Sequence, residues 1–141
     1  MLIEKVLYAA RVKATTGRDM RSVSSDGALD LTVTRPRELG GTIGRGTNLE
    51  QLFAASYATS FLGMMRFVAG RESIALPADT EVEANVGVGP TPNGFEIEVE
   101  LRISLPRLAR AEADTLVEMS HAVCPYSNAT RGNISVRLVM A

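Results

Sequence analysis

The sequence predicts an α+β protein, antiparallel sheets around a buried central helix, and three observations carry that expectation. One stretch, Leu52 to Met65, holds no charged side chain inside the longer segment Thr47 to Arg71. Short alternating segments precede and follow it, and a second amphipathic segment lies near the C-terminus. Runs of strands interrupted by two helices argue α+β over a parallel α/β sheet. The uncharged run reads as the core helix of a soluble protein, since a membrane span needs about 20 consecutive apolar residues. Its interior is small and hydroxylic, with Ala54, Ala55, Ser56, Ala58, Thr59, Ser60 and Gly63 among Phe53, Tyr57, Phe61 and Leu62. Hydroxyls in such a place either bond back to helix carbonyls or mark a site.

The elements follow in order. Val6, Tyr8, Ala10 and Val12 alternate with Lys5, Arg11 and Lys13, as a half-buried strand should. Thr15-Thr16-Gly17-Arg18-Asp19 turns the chain, Val23 opens a second strand, and Asp26-Gly27 is the two-residue signature of a tight hairpin into Leu29, Leu31 and Val33. Arg35-Pro36 ends the run. The loop Leu39 to Gly46 carries four glycines into the central helix, where Thr47 and Glu50 fit a capping box and Gly70 marks the far end. Val82 to Val88 and Phe95 to Ile103 alternate as two long strands of a hairpin, joined by the loop GPTPNG. Leu116, Val117, Ser120, Val123 and Cys124 share one helical face, with Ala109 a poor cap before them and Pro125 a stop after them. SNATRGN reads as a polar loop, and Ile134, Val136, Leu138 and Met140 as a last strand.

At 141 residues the chain is expected to be one domain, 1–141, and a helix this apolar needs a second sheet or a second subunit over its other face. A net charge of −1 with interspersed signs offers no basic field, so nucleic acid and membrane are not expected partners. Glu4 and Lys5 interrupt what would be the apolar core of a secretory signal, and a cytoplasmic location is expected. A lone cysteine, Cys124, excludes an intrachain disulfide and a cysteine-rich zinc site.

Among candidate sites, Gly40 to Gly46 before a helix invites an anion, but it lacks the lysine of a P-loop and does not lie in a βαβ unit, so an approach loop is the better reading. His121, the only histidine, stands three residues before Cys124, where the two could meet as a nucleophile and its base. The plainer reading is helical adjacency with a buried, inert thiol. For Glu50 a cap, and for Arg18 a solvated turn, are the plain readings.

The segments TNLEQLFAASYATSFLGMMRFVAG and HAVCPYSNATRGN, with VSSDG, RELGG and ALPAD around them, resemble the organic hydroperoxide resistance (Ohr) proteins of the OsmC/Ohr superfamily over essentially the whole chain. The resemblance implies an intertwined homodimer and a thiol peroxidase that reduces organic and lipid hydroperoxides through two cysteines. It places the peroxidatic position at Ser60, the resolving cysteine at Cys124, and a salt-bridged pair at Arg18 and Glu50 that faces the guanidinium to the reactive thiolate. No bound cofactor or metal is implied; dihydrolipoamide-type thiols, free or on a lipoylated protein, are the implied reductant. Phe53, Phe61, Leu62, Met64, Met65 and Phe67 are the candidate lining for an apolar peroxide. With serine at 60 the chain is expected to be a crippled peroxidase, since a hydroxyl does not ionise usefully or form a sulfenic acid. The retained Arg18, Glu50 and Cys124 favour a substituted serine over a drifted homologue. A non-catalytic dimer binding an apolar acyl ligand in the same cavity is the alternative.

Overall fold

The computed structural model describes residues 2–17, 19–41 and 44–141. The chain divides into two compact units, Met1–Leu49 and Glu50–Ala141.

In the first unit, β1 (Val12–Thr15), β2 (Met20–Ser24) and β3 (Asp30–Val33) form an antiparallel sheet in that order. The expected strand from Val6 is much shorter: only Val12–Thr15 pairs, and Val6 and Tyr8 are 61% and 80% exposed. Alternation alone makes no strand without a neighbour to take its amides, and residues 6–11 have no ladder partner in the described chain. The hairpin after β2 is also looser than a two-residue turn. Ser24 Oγ accepts from the Leu29 amide at 2.9 Å and donates to Asp26 Oδ1 at 2.6 Å, and Gly27 takes φ +77°, so side-chain bonds hold a four-residue turn.

Crowding accounts for two glycines of the approach loop. A Cβ on Gly41 would lie 1.9 Å from the Arg35 carbonyl oxygen, and one on Gly46 would lie 2.6 Å from that of Thr32. Thr47 bridges back to β3, its N–H donating to Thr32 O at 3.1 Å and its carbonyl accepting from Thr34 at 2.7 Å. The Thr47 amide that a capping box would pair with the Glu50 carboxylate is therefore bonded to Thr32.

The second unit is built on α1 (Leu49–Arg71). By length and composition α1 would suffice to cross a bilayer, yet Tyr57, Phe61, Met65, Val68 and Ala69 lock one stripe into a protein core. The helix runs past Gly70 and ends with Ser73 at φ +56°, where the Ile74 amide reaches back to the Ala69 carbonyl at 2.8 Å as in a Schellman closure. Ala55, Ser56, Thr59, Gly63 and Phe67 on the other face are exposed, so α1 is half-buried where the sequence led us to expect a buried helix.

Beyond α1 come β4 (Glu81–Thr91) and β5 (Gly94–Ser104), then α2 (Arg110–Val123), α3 (Pro125–Thr130) and β6 (Val136–Met140). GPTPNG is not all loop: β4 and β5 stay paired to Thr91 and Gly94. Pro90 is tolerated because β4 is the edge strand in the order β4-β5-β6. The sheet is mixed, not antiparallel throughout, because β6 runs parallel to β5 after the helical crossover. SNATRGN is likewise not a plain loop, as its first half lies in α3, with proline at the first position where a missing amide costs nothing. Ala109 contributes no side-chain cap to α2, as the sequence indicates.

Val99, Leu101 and Ile103 on β5, Ala113, Leu116 and Val117 on α2, the α1 stripe and Cys124 make one hydrophobic core. Each large side chain fully buried there stabilises the fold by roughly 1.5–3 kcal/mol. Leu101→Ala, at a fully buried site, is expected to cost about 2–5 kcal/mol in denaturant unfolding. Arg110→Ala, which breaks only the exposed pair with Asp114, should cost no more than about 0.5 kcal/mol.

Candidate functional site

The chain's one thiol sits at a corner made by its neighbour. Cys124 precedes a proline, and the clash of the proline ring with the preceding residue disfavours helical geometry there. Cys124 accordingly adopts φ −67° and ψ 125° between two helices. Its N–H closes α2 on Ser120 O at 2.9 Å, and its carbonyl accepts the Asn128 amide of α3 at 2.9 Å. The side chain is fully buried, with Sγ 3.8 Å from the Ser60 hydroxyl of α1. Ser60 itself is partly exposed. Positions 60 and 124, 64 residues apart, thus meet where one side is core and the other is open.

A second contact joins the same elements. Ser127 Oγ lies 2.7 Å from the Tyr57 phenol and 2.8 Å from His121 Nδ1. Tyr57 and Ser127 are both fully buried. Around them Phe53, Tyr57 and Tyr126 pack as three rings with centroids 5.8–6.3 Å apart. His121 therefore bonds to Ser127, and no hydrogen bond joins it to the thiol. Burial pushes its imidazole below the ordinary value, with the nearby Arg131 charge adding to the effect. Arg131 donates to the His121 carbonyl and to Asn128 Oδ1, both at 2.7 Å.

The remaining sequence candidates fall in different places. Arg18 lies outside the described residues. Glu50 is in the first turn of α1 and partly buried. Phe61 and Met65 are fully buried in the core and present no surface to a ligand. Phe53, Leu62 and Met64 are partly buried against that core. Phe67 is 58% exposed, with the Arg71 guanidinium 5.5 Å from its ring centre. Among the described residues, no three of His, Cys, Asp and Glu converge as a metal site would need. Sequence reasoning missed Tyr57 and Ser127; the signal is a pair of hydroxyls one helical turn from Ser60 and from Cys124, masked by the loop-like composition of SNATRGN.

Comparison with known proteins agrees across the whole chain. Residues 41–139 match the family described as OsmC-like protein. The chain is 56% identical over 138 residues, 98% of its own length and 97% of the relative's, to an organic hydroperoxide resistance protein of Xanthomonas axonopodis pv. citri. Among solved structures it is similar to an organic hydroperoxide resistance protein from Legionella pneumophila, with TM-score 0.91, 43% identity, and coverage of 97% of this chain and 99% of that one. A second, from Elizabethkingia anophelis, superposes with TM-score 0.92 at 42% identity, covering 97% and 98%.

His121 supplies a pH test, being the only histidine. Its folded value lies below the ordinary 6.5, so between the two the unfolded chain binds the extra proton. Its contribution to stability is therefore whole above about pH 6.5 and is lost as pH falls through the folded value. The denaturant midpoint should decline across that window in the parent and stay flatter in His121→Asn. The carboxylates of Asp26, Asp30 and Asp79, held below 3.8 by hydrogen bonds, act only at lower pH.

Proposed function

The chain belongs to the OsmC/Ohr family, and on that premise we propose that it is the scaffold of a thiol-dependent peroxidase for organic, including lipid, hydroperoxides, with Ser60 in the place of the attacking thiol. The family gives a thiol-peroxidase-like scaffold. The observation that carries the finer reading is the 3.8 Å approach of Ser60 Oγ to the only thiol, Cys124. A sulfur at 60 would need only side-chain adjustment to come within the roughly 2.05 Å of a disulfide.

In the two-cysteine form of this reaction, a thiolate at 60 attacks the outer peroxide oxygen. The O–O bond breaks, the sulfur is oxidised to a sulfenic acid, and the alkoxide leaves to be protonated as the alcohol. Cys124 thiolate then attacks that sulfenic sulfur, hydroxide departs as water, and a disulfide forms. An external dithiol of the dihydrolipoamide type, free or carried on a lipoylated protein, exchanges with the disulfide and takes away the oxidising equivalents. Desolvation beside the core would disfavour a thiolate at 60 unless a cation stood near. Arg18 is proposed as that cation, aiding alkoxide departure, and Glu50 as the carboxylate that holds the guanidinium planar. Of the candidate lining, Phe53, Leu62, Met64 and Phe67 retain surface for an apolar peroxide tail. Serine at 60 stops the first step, so the chain as it stands is inert in this chemistry.

The same reading makes the protein a cytoplasmic homodimer. Two features support the second subunit: the exposed small-residue face of α1, and an alternating N-terminal segment with Leu7 at 89% and Tyr8 at 80% exposure. Such surface is unusual on a lone chain.

Ser60→Cys, supplied with a dihydrolipoamide reductant, is expected to turn over an organic hydroperoxide, whereas the parent and Ser60→Ala give only background. An inert Ser60→Cys chain that instead binds an apolar acyl compound tightly would favour a non-catalytic binding protein. In the Ser60→Cys background, Cys124→Ser should leave the first oxidation intact and cut steady-state turnover at least tenfold, read by coupled consumption of the dithiol.

A further inference from the structure

α3 has six residues, too few to hold a helix by its own hydrogen bonds. Something must dock it, because Cys124 is its N-terminal boundary and the thiol goes where the corner goes. Beside the packing of the Tyr126 ring on Phe53 and Tyr57, the side-chain hydrogen bonds that join α3 to α1 and α2 converge on one hydroxyl. Ser127 lies one turn after Cys124, and His121 one turn before it. Tyr57 lies one turn before Ser60 on α1. Ser127 Oγ meets the Tyr57 phenol at 2.7 Å and His121 Nδ1 at 2.8 Å. A serine hydroxyl has one donor and two acceptor sites, enough to serve both partners together. The same contact thus links the turn of α1 that carries position 60 to both sides of the corner that carries Cys124.

We propose that Tyr57, Ser127 and His121 are positioning residues for the pair of positions 60 and 124: the Ser127 hydroxyl, bonded to phenol and imidazole, holds the α2–α3 corner closed on α1 and so sets the Cys124 thiol against side chain 60. This rests on the reading of 60 and 124 as the attacking and resolving positions. The energy of leaving the buried Tyr57 phenol without a partner adds to the ring packing in keeping the corner shut, and it fixes the corner's register. Loss of the Ser127 hydroxyl loosens the corner even though the core residues beneath it are untouched. None of the three touches the peroxide; they act through the placement of the thiol.

The test uses the full chain carrying Ser60→Cys in a glutathione redox buffer, which needs no peroxide. The introduced thiolate displaces one glutathione thiolate from glutathione disulfide. Cys124 then displaces the second, so two protein thiols are oxidised as one glutathione disulfide becomes two thiols. The equilibrium gives the effective concentration of one protein thiol at the other. Added to Ser60→Cys, each of Tyr57→Phe, Ser127→Ala and His121→Leu is expected to lower it at least tenfold. His121→Asn, which keeps a polar atom near the Nδ1 position, should stay within threefold of the parent. Tyr57→Phe with Ser127→Ala should cost little more than either alone, since they break one bond. Leu101→Ala, which lowers stability without touching the network, should leave the value unchanged and so separates positioning from general weakening.

An effective concentration unchanged in Ser127→Ala, or equal losses in His121→Leu and His121→Asn, would overturn the proposal. No closure at all in Ser60→Cys would remove the premise and the proposal with it. Disulfide closure without turnover of an organic hydroperoxide would sink the peroxidase reading and leave the positioning role standing.

Discussion

The conformational restriction that Pro125 places on Cys124 organises this site. A residue before proline is kept from the helical region, so α2 must end and α3 must begin around one extended residue. That residue carries the chain's only thiol. Because its amide and carbonyl are spent on the two flanking helices, the side chain is aimed by backbone bonds on both sides. The core then decides what it meets. The stripe Tyr57, Phe61, Met65 and Val68 seats α1 against β5 and α2, and Ser60, at the margin of that stripe, faces the sulfur. Packing supplies the adjacency, and the proline supplies the direction.

The same packing shapes the local electrostatics. A thiolate introduced at position 60 would stand beside the core, where desolvation disfavours charge, so the proposed chemistry calls for a cation brought from elsewhere. That is the role the proposed function gives to Arg18 and, through it, to Glu50. The imidazole of His121, depressed by burial, is engaged with Ser127. This is a better use of a neutral ring than proton abstraction from a sulfur it does not contact.

Much of this was legible in the letters, and what was not has physical reasons. The uncharged run around Ser60 announced α1, and alternation over 82–88 and 95–103 announced the hairpin, because burial on one face writes a period that survives any partner. The segment from Val6 carried the same period, yet only its end, from Val12, pairs as a strand in the described chain, since a ladder needs a neighbour that periodicity cannot name. Proline misled twice in opposite senses. Pro90 lies inside a strand because β4 is an edge, and Pro125 starts a helix where it was read only as a stop. That second misreading hid Ser127, and with it the link from Tyr57 to His121. The approach of Ser60 to Cys124 could be expected from family likeness; no pattern within the sequence joins residues 64 apart.

The most direct test of the account is chemical. Treat Ser60→Cys with one equivalent of an organic hydroperoxide and map the peptides without reduction. The account expects a single intrachain disulfide joining the α1 peptide to the peptide that spans the α2–α3 corner. Oxidation of either thiol to sulfinic or sulfonic acid with no cross-link, or linkage only between chains, would contradict it.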